Sequence, residues 1–339
     1  MKLNYEIIQY STYVLSFLVG VSGLIIYKLQ NKIIYAANCP IDSRRFTYTP
    51  SDFEMEDYED LELKTKDGIK IKAFLVKKFI DKEKTKLAKS TLIYFHANAG
   101  NMGHRLPIVK SFVEECGCNV LIISYRGYGF SEGQVSEEGI KIDAQSTLEY
   151  VLERPDLKNS KIILFGQSIG GAVAIYLAAN NQERIHGVIL ENTFLTMRKL
   201  IPNLVPWLAP FTFLCHEKWE SENELVKFTY QRKDKNSDKE KFIPVILLSS
   251  ELDEIVPNNQ FEELCQRLRN VRREASSQKE REMEELGNTE PDSPEQILVR
   301  EQYNVSWHRF DGVHHNDTCI HPDYYPCIKN WWRNNIDDN

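Results

Sequence analysis

The sequence predicts an α/β fold: a mostly parallel central sheet covered on both faces by helices, preceded by an apolar N-terminal helix. Three observations lead there. Short apolar runs bounded by turn residues recur from about residue 61, with helical patterns between most of them, and such alternation builds a parallel sheet. One of the runs, Lys161–Phe165, passes through Gly166-Gln167-Ser168-Ile169-Gly170 straight into the small-residue helical pattern of Gly171–Ala179. Finally, Ser11–Tyr27 (STYVLSFLVGVSGLIIY) carries no charge.

The N-terminal stretch is about long enough to cross a bilayer, which needs ~17–25 residues. Tyr10, Tyr13 and Tyr27 stand where interfacial aromatics are expected. Lys2 is offset by Glu6 and the apolar core is long, so the pattern reads as an uncleaved anchor rather than a signal peptide or a core helix. The expected division is residues 1–50 as anchor (span about 11–27) and linker, and 51–339 as the α/β domain. Lys28, Lys32, Arg44 and Arg45 follow the span and favour a cytoplasmic domain by the positive-inside rule.

A hairpin is expected at Leu61–Lys64 and Ile69–Val76 around Asp67-Gly68. Parallel strands follow at Leu92–Phe95, Val120–Ser124, Ile162–Phe165, Val188–Leu190, Val245–Leu248 and Val305–Phe310. Ligands of such sheets bind at the carboxyl ends of the strands. A cap is expected over residues 192–241. Its segment Leu200–Leu214 is apolar, aromatic and proline-rich, a composition that suits an acyl chain or a bilayer surface; packing of a short lid against the core is the preferred reading. The polar run 231–240 reads as an exposed loop. The charge-dense stretch 271–297, ending with Pro291 and Pro294, reads as a partly helical or disordered surface insertion.

The strand–turn–helix setting makes Gly166–Gly170 a nucleophile elbow, with Ser168 exposed at the sheet edge and the dipole of the following helix behind it. A serine nucleophile of this kind needs an acid and then a histidine later in the chain. Asp253 lies a few residues past the apolar run 243–250, where it can orient an imidazole. Glu251, Glu254 and Glu191 are further carboxylates near strand ends. After the last strand come His314 and His315, of which one serves as base; His308 is an ordinary strand residue. A paired-histidine metal site finds no other ligands at a sensible spacing. The strand 90–95 leads into His96–Asn101, so backbone N–H groups of Asn98 and Ile169 are the expected oxyanion donors. Arg126, in a glycine-rich turn, is expected to brace that loop against a carboxylate. No metal or organic cofactor is required by this chemistry.

With these residues in place, the chain resembles the α/β-hydrolase superfamily and, within it, the Bem46-like group. The carrying segments are Phe95–Pro107 (FHANAGNMGHRLP), Tyr125–Gly139, Arg154–Leu157, Leu164–Ala178 (LFGQSIGGAVAIYLA), Glu191–Leu195 (ENTFL) and His315–Thr318 (HNDT). The resemblance implies Ser168 as nucleophile, Asp253 as acid and His315 as base. Two positions depart from the group's pattern. Ala97 replaces a glycine beside the oxyanion loop, and an extra residue between Asp311 and Asp317 aligns His314 by its upstream and His315 by its downstream neighbours. A mammalian relative in the group implies a lumenal domain, against the charge rule. The membrane placement expected is single-pass, in the endoplasmic reticulum or another endomembrane.

The expected activity is cleavage of a carboxylic ester or thioester, with a lipid or a lipidated protein among the candidate substrates and the bilayer as partner. A protein S-depalmitoylase is the alternative; a non-catalytic membrane scaffold is the second. A net charge of -7 argues against nucleic acid, and seven scattered cysteines form no disulfide or zinc framework.

Overall fold

Apolar runs with period-2 alternation between two cores organise the molecule. The computed structural model describes residues 2–229, 231–233, 240–285 and 301–337. Its strands are β1 (Tyr58–Lys64), β2 (Lys70–Val76), β3 (Ser90–Phe95), β4 (Asn119–Ile123), β5 (Lys161–Gln167), β6 (Ile185–Glu191), β7 (Gln231–Lys233), β8 (Glu240–Phe242), β9 (Val245–Ser250) and β10 (Val305–Phe310). Eight of them form one sheet in the order β1-β2-β4-β3-β5-β6-β9-β10. β2 pairs antiparallel with β1 and with β4; every other pairing in this sheet is parallel.

Ile93 and Phe95 of β3 and Ile162 and Leu164 of β5 face one core, while Leu92 and Tyr94 and Ile163 and Phe165 face the other. Burial on both faces explains why these strands read as unbroken apolar runs. The first core is covered by α3 (Glu137–Glu153), α4 (Ile169–Asn180) and the start of α7 (Asn258–Glu285). The second lies under α2 (Leu106–Glu115) and α8 (Tyr324–Trp332). α4 is buried along nearly its whole length, so its GGAVAIYLAA sequence suits close packing on the sheet.

Four expectations change. The 271–297 insertion begins as a continuation of α7, and Arg272 within it is buried. It donates from Nη1 to the carbonyls of Tyr303 and Asn304 and lies over the Phe242 ring. Local charge density cannot reveal such a tertiary partner; residues 286–297 lie outside the described ones. The 231–240 run opens and closes as the hairpin β7–β8, with 234–239 outside the described residues. The cap comprises α5 (Met197–Leu204), a 3₁₀ stretch (Pro206–Leu214) and α6 (Ser221–Leu225). No residue of the 3₁₀ stretch is buried, and Trp207 and Phe213 are 67% and 68% exposed, so this part is not core packing.

The fourth change concerns the N-terminus. α1 runs unbroken over Lys2–Ile34, and the segment after it packs on the domain instead of linking to it. Tyr35 is buried; its hydroxyl donates to Glu217 and accepts from Trp219 Nε1 at 2.9 Å. Gly100 N donates to the Cys39 carbonyl at 2.7 Å, and Asn101 Nδ2 donates to Ser43 and Phe46 carbonyls at 2.8 Å each. These are long-range contacts that hydropathy does not encode.

Candidate active site

Ser168 stands between the end of β5 and the first residue of α4 with φ 55° and ψ −119°. A non-glycine residue there is strained by roughly 1–3 kcal/mol and needs surroundings that hold it. Ser168 N donates to the Glu191 carbonyl at 2.9 Å, and the Ser168 carbonyl accepts from Thr193 Oγ1 at 2.8 Å. The flanking glycines permit the closeness of the turn. A Cβ on Gly170 would lie 2.1 Å from the Phe95 carbonyl oxygen, and one on Gly166 would lie 2.2 Å from the Gly170 carbonyl oxygen. Both obstacles are backbone. Gly170→Ala is therefore expected to destabilise the protein by ~3 kcal/mol or more, read as a lowered thermal midpoint; an unchanged midpoint would contradict the tight crossing of α4 over β3.

Asp253 and His315 follow β9 and β10, whose last residues, Ser250 and Phe310, are paired in register. His315 Nδ1 lies 2.8 and 2.9 Å from the two Asp253 carboxylate oxygens, and both side chains are nearly fully buried. Asp253 Oδ1 also accepts from Ile255 N at 2.9 Å and Val256 N at 2.8 Å. A carboxylate at Nδ1 places the neutral ring's proton on that nitrogen and leaves Nε2 as a base. The loop carrying the imidazole is pinned by Asn192. That buried side chain donates to the His315 carbonyl at 2.9 Å and to Thr318 Oγ1 at 2.8 Å, and it accepts from Ser250 N at 2.9 Å.

The competing residues go elsewhere. His314 is more than half exposed, with Nδ1 3.3 Å from Glu254. Glu254 accepts from the His315 backbone N–H at 3.2 Å, and Glu251 accepts from Gly312 N at 3.1 Å. Glu191 is buried beneath the elbow, bonded to Gln167 Nε2 at 2.8 Å and to the Tyr324 hydroxyl; burial holds its carboxyl above the usual carboxylate range.

Ile169 opens α4, so its N–H has no acceptor within the helix. Asn98 follows β3, and both polar atoms of its side chain are hydrogen-bonded. Nδ2 donates to the Ile34 carbonyl at 2.6 Å, and Oδ1 accepts from Ala36 N at 3.1 Å and the Tyr128 hydroxyl at 2.8 Å. Arg105 Nη2 holds the Ala99 carbonyl at 3.0 Å. Ala97 is buried and lies outside the residues with positive φ, so its methyl demands no left-handed backbone. Arg126 clamps Asp143 from Nη2 at 2.8 Å and Asp67 from Nη1 at 2.7 Å, a brace as its position suggested.

His96 is fully buried, with Nδ1 2.6 Å from the Ala97 carbonyl, and burial lowers its pKa to about 3. In the unfolded chain it protonates near 6.5. Its contribution is thus complete above about pH 6.5 and is lost as pH falls toward 3. Between pH 7 and pH 5 the expected loss is ~2 kcal/mol, and His96→Asn should flatten that limb of the unfolding profile. Parallel profiles for the two proteins would argue against a buried neutral imidazole.

Ser168, Ile169, Asn98 and His315 all open on one cavity of about 400 Å³. Three contributors to the site were not assigned from sequence: Asn192, Arg105, which lines the cavity, and one face of α1, which forms part of its wall. The first two sit inside the ENTFL and GHRLP segments, so family resemblance marked them without giving a role. The third left no local signal.

The family model for the alpha/beta hydrolase fold matches residues 90–221. Protein bem46 of Schizosaccharomyces pombe is 45% identical over 237 residues, 70% of this chain and 74% of that one. An uncharacterized membrane protein of Saccharomyces cerevisiae is 37% identical, covering 71% and 78% of the two chains. The α/β hydrolase domain-containing protein WAV2 of Arabidopsis thaliana is 35% identical, covering 73% and 80%. Among solved structures, a Pyrococcus furiosus esterase superposes with TM-score 0.60 at 16% identity, over 86% of this chain and 95% of its own. A Vibrio vulnificus α/β hydrolase gives TM-score 0.58 at 18% identity, over 86% and 89%. Sheet order, elbow and these likenesses define an α/β hydrolase. Within that class, the chain belongs to the Bem46-like family.

Proposed function

We propose that the chain is a membrane-anchored serine hydrolase that cleaves carboxylic ester or thioester bonds through Ser168, His315 and Asp253. The observation that carries this reading is that His315, buried and hydrogen-bonded to Asp253, lines the same cavity as Ser168. In the first half-reaction His315 Nε2 takes the hydroxyl proton as Ser168 Oγ bonds to the acyl carbon. The oxyanion is met by the N–H groups of Asn98 and Ile169, each worth ~3 kcal/mol. Collapse breaks the bond to the alcohol or thiol, which leaves with the proton from His315. Water then gives its proton to His315 and its oxygen to the acyl carbon, and Ser168 leaves reprotonated, releasing the carboxylic acid.

Membrane attachment is supported by the Gln9–Ile34 stretch of α1, apolar and long enough to cross a bilayer, and by the yeast relative described as a membrane protein. The test uses the full chain in detergent. A fluorophosphonate is expected to form an adduct on the peptide containing Ser168, and butyryl ester and butyryl thioester are expected to be hydrolysed. An adduct on another residue, or turnover that survives complete labelling, would refute the assignment. Release of palmitate from an S-palmitoylated membrane protein separates the depalmitoylase from a small-ester or lipid hydrolase.

A further inference from the structure

The cavity before Ser168 has a wall that the hydrolase core does not supply. Ile26, Gln30, Ile33 and Ile34 of α1 line it. Spacings of four, seven and eight residues put all four on one face of a helix. Leu24, Ile25 and Leu29, on other faces, are exposed and apolar, which suits a helix surrounded by lipid. The facing wall comes from the cap, including Leu204, Leu208 and Phe211. Ile33, Leu204 and Phe211 both line the cavity and reach the surface, so its rim is apolar.

Hydrogen bonds hold this wall in register with the chemistry. Asn98, the expected oxyanion residue, binds the carbonyl of Ile34, the last residue of α1, and the N–H of Ala36. Gln30 is buried between helix and cap, donating to the Leu214 carbonyl at 3.2 Å and accepting from His216 N at 2.8 Å. Asn31 Nδ2 donates to the Val135 carbonyl at 3.1 Å.

The same contacts set the depth of the site. A hydrocarbon core of about 30 Å takes ~20 helical residues. Counted from Gln9, that length ends near Lys28, and Lys28 and Lys32 are exposed there. The cap meets α1 at Tyr27 and Gln30, at the level of the bilayer surface, with Trp207 and Phe213 projecting outward. An exposed apolar rim of this kind marks a lipid or protein contact rather than a face kept in water.

The geometry points to an acyl-chain channel between α1 and the cap, which takes the long-chain acyl group of a bilayer-resident ester or thioester sideways out of the leaflet. The inference rests on Ser168 as the reacting residue at the channel's inner end. It makes the anchor helix part of the binding site, not only a tether.

The test uses the full chain in phosphatidylcholine nanodiscs with butyryl and palmitoyl thioesters. Ile26→Trp and Ile34→Trp, which fill the channel, are expected to lower the palmitoyl-to-butyryl rate ratio at least tenfold, while Leu29→Trp leaves it unchanged. A ratio unaltered in both filled variants overturns the channel and leaves the hydrolase reading intact. A second measurement needs no turnover. The Ser168→Ala chain, photolabelled with a diazirine-terminated palmitoyl ester, is expected to carry label within residues 26–34 and 197–214, and to lose it when Ile34→Trp is added. Such labelling in a protein whose wild type hydrolyses neither thioester would refute the hydrolase reading while upholding the channel. Butyryl turnover without label in those segments would overturn the channel alone.

Discussion

Ser168→Ala is expected to lower kcat by about a millionfold and to abolish the fluorophosphonate adduct, while leaving thermal stability intact. The magnitude follows from the interdependence of nucleophile and base: without the hydroxyl, His315 has no proton to take and the acyl-enzyme route closes. What remains is substrate binding and oxyanion stabilisation, on the order of 10³–10⁴ over water. The fold should tolerate the change. The elbow is held by backbone bonds of Ser168 to Glu191 and by Thr193 Oγ1 on the Ser168 carbonyl, and an alanine keeps both. Comparison of single-turnover hydrolysis with unfolding midpoints decides the matter. A loss of activity matched by a loss of folding would make the result structural, whereas a variant with near wild-type turnover would end the nucleophile assignment.

Asp253→Asn is expected to cost about 10⁴ in kcat, roughly 5 kcal/mol of transition-state stabilisation. The asparagine carbonyl can keep the bonds from Ile255 N and Val256 N that Asp253 Oδ1 now accepts. Its amide then faces His315 Nδ1 as a donor, so the ring must accept there and carry its proton on Nε2, the nitrogen needed as base. Glu254→Gln provides the contrast. Glu254 meets the backbone N–H of His315 and the side chain of the exposed His314, not the His315 ring, and its side chain is half exposed, so the expected change in kcat is less than tenfold. The two variants, assayed on the same butyryl thioester, discriminate between the acids; a larger loss in Glu254→Gln would move the orienting role to that carboxylate.

Legibility from sequence varied from element to element for physical reasons. The central strands β3, β4, β5, β6 and β9 were readable because nearly every position in them is buried and most positions are apolar, whereas the edge strands β1 and β10 mix buried with exposed positions. β3 and β5 alternate between two cores, but both cores select the same residue types. The elbow was readable because its glycines are steric requirements: a Cβ at Gly166 would lie 2.2 Å from the Gly170 carbonyl oxygen four residues on, and one at Gly170 would lie 2.1 Å from the Phe95 carbonyl oxygen on the neighbouring strand. Charge density over 271–297 implies a partly helical surface segment, and α7 does run on to Glu285; that density is an average, however, and hides Arg272, which is individually paired with two carbonyls across the fold. An apolar composition implies a packed cap, yet composition carries no information on which side meets protein and which does not.

The one-residue insertion at His314-His315 is a sharper case. Neighbouring histidines are chemically identical in sequence, and alignment from either side gives a different answer. In the structure His315 turns inward to Asp253 and His314 outward beside Glu254, because Asn192 and Ser250 hold the two carbonyls of the loop.

By itself the sequence determined the order of strands and helices, the strand–turn–helix around Ser168 and an apolar helix at the N-terminus, since each depends on residues close together in the chain. Only the tertiary structure decided which carboxylate meets the imidazole, how Asn98 ties the end of α1 to the loop beside Ser168, and that α1 walls the cavity. Those depend on residues far apart in the chain, Asp253 and His315 by 62 positions and Ile34 and Asn98 by 64. A directional bond of about 3 Å between such residues exists only once the sheet has brought its strand ends together.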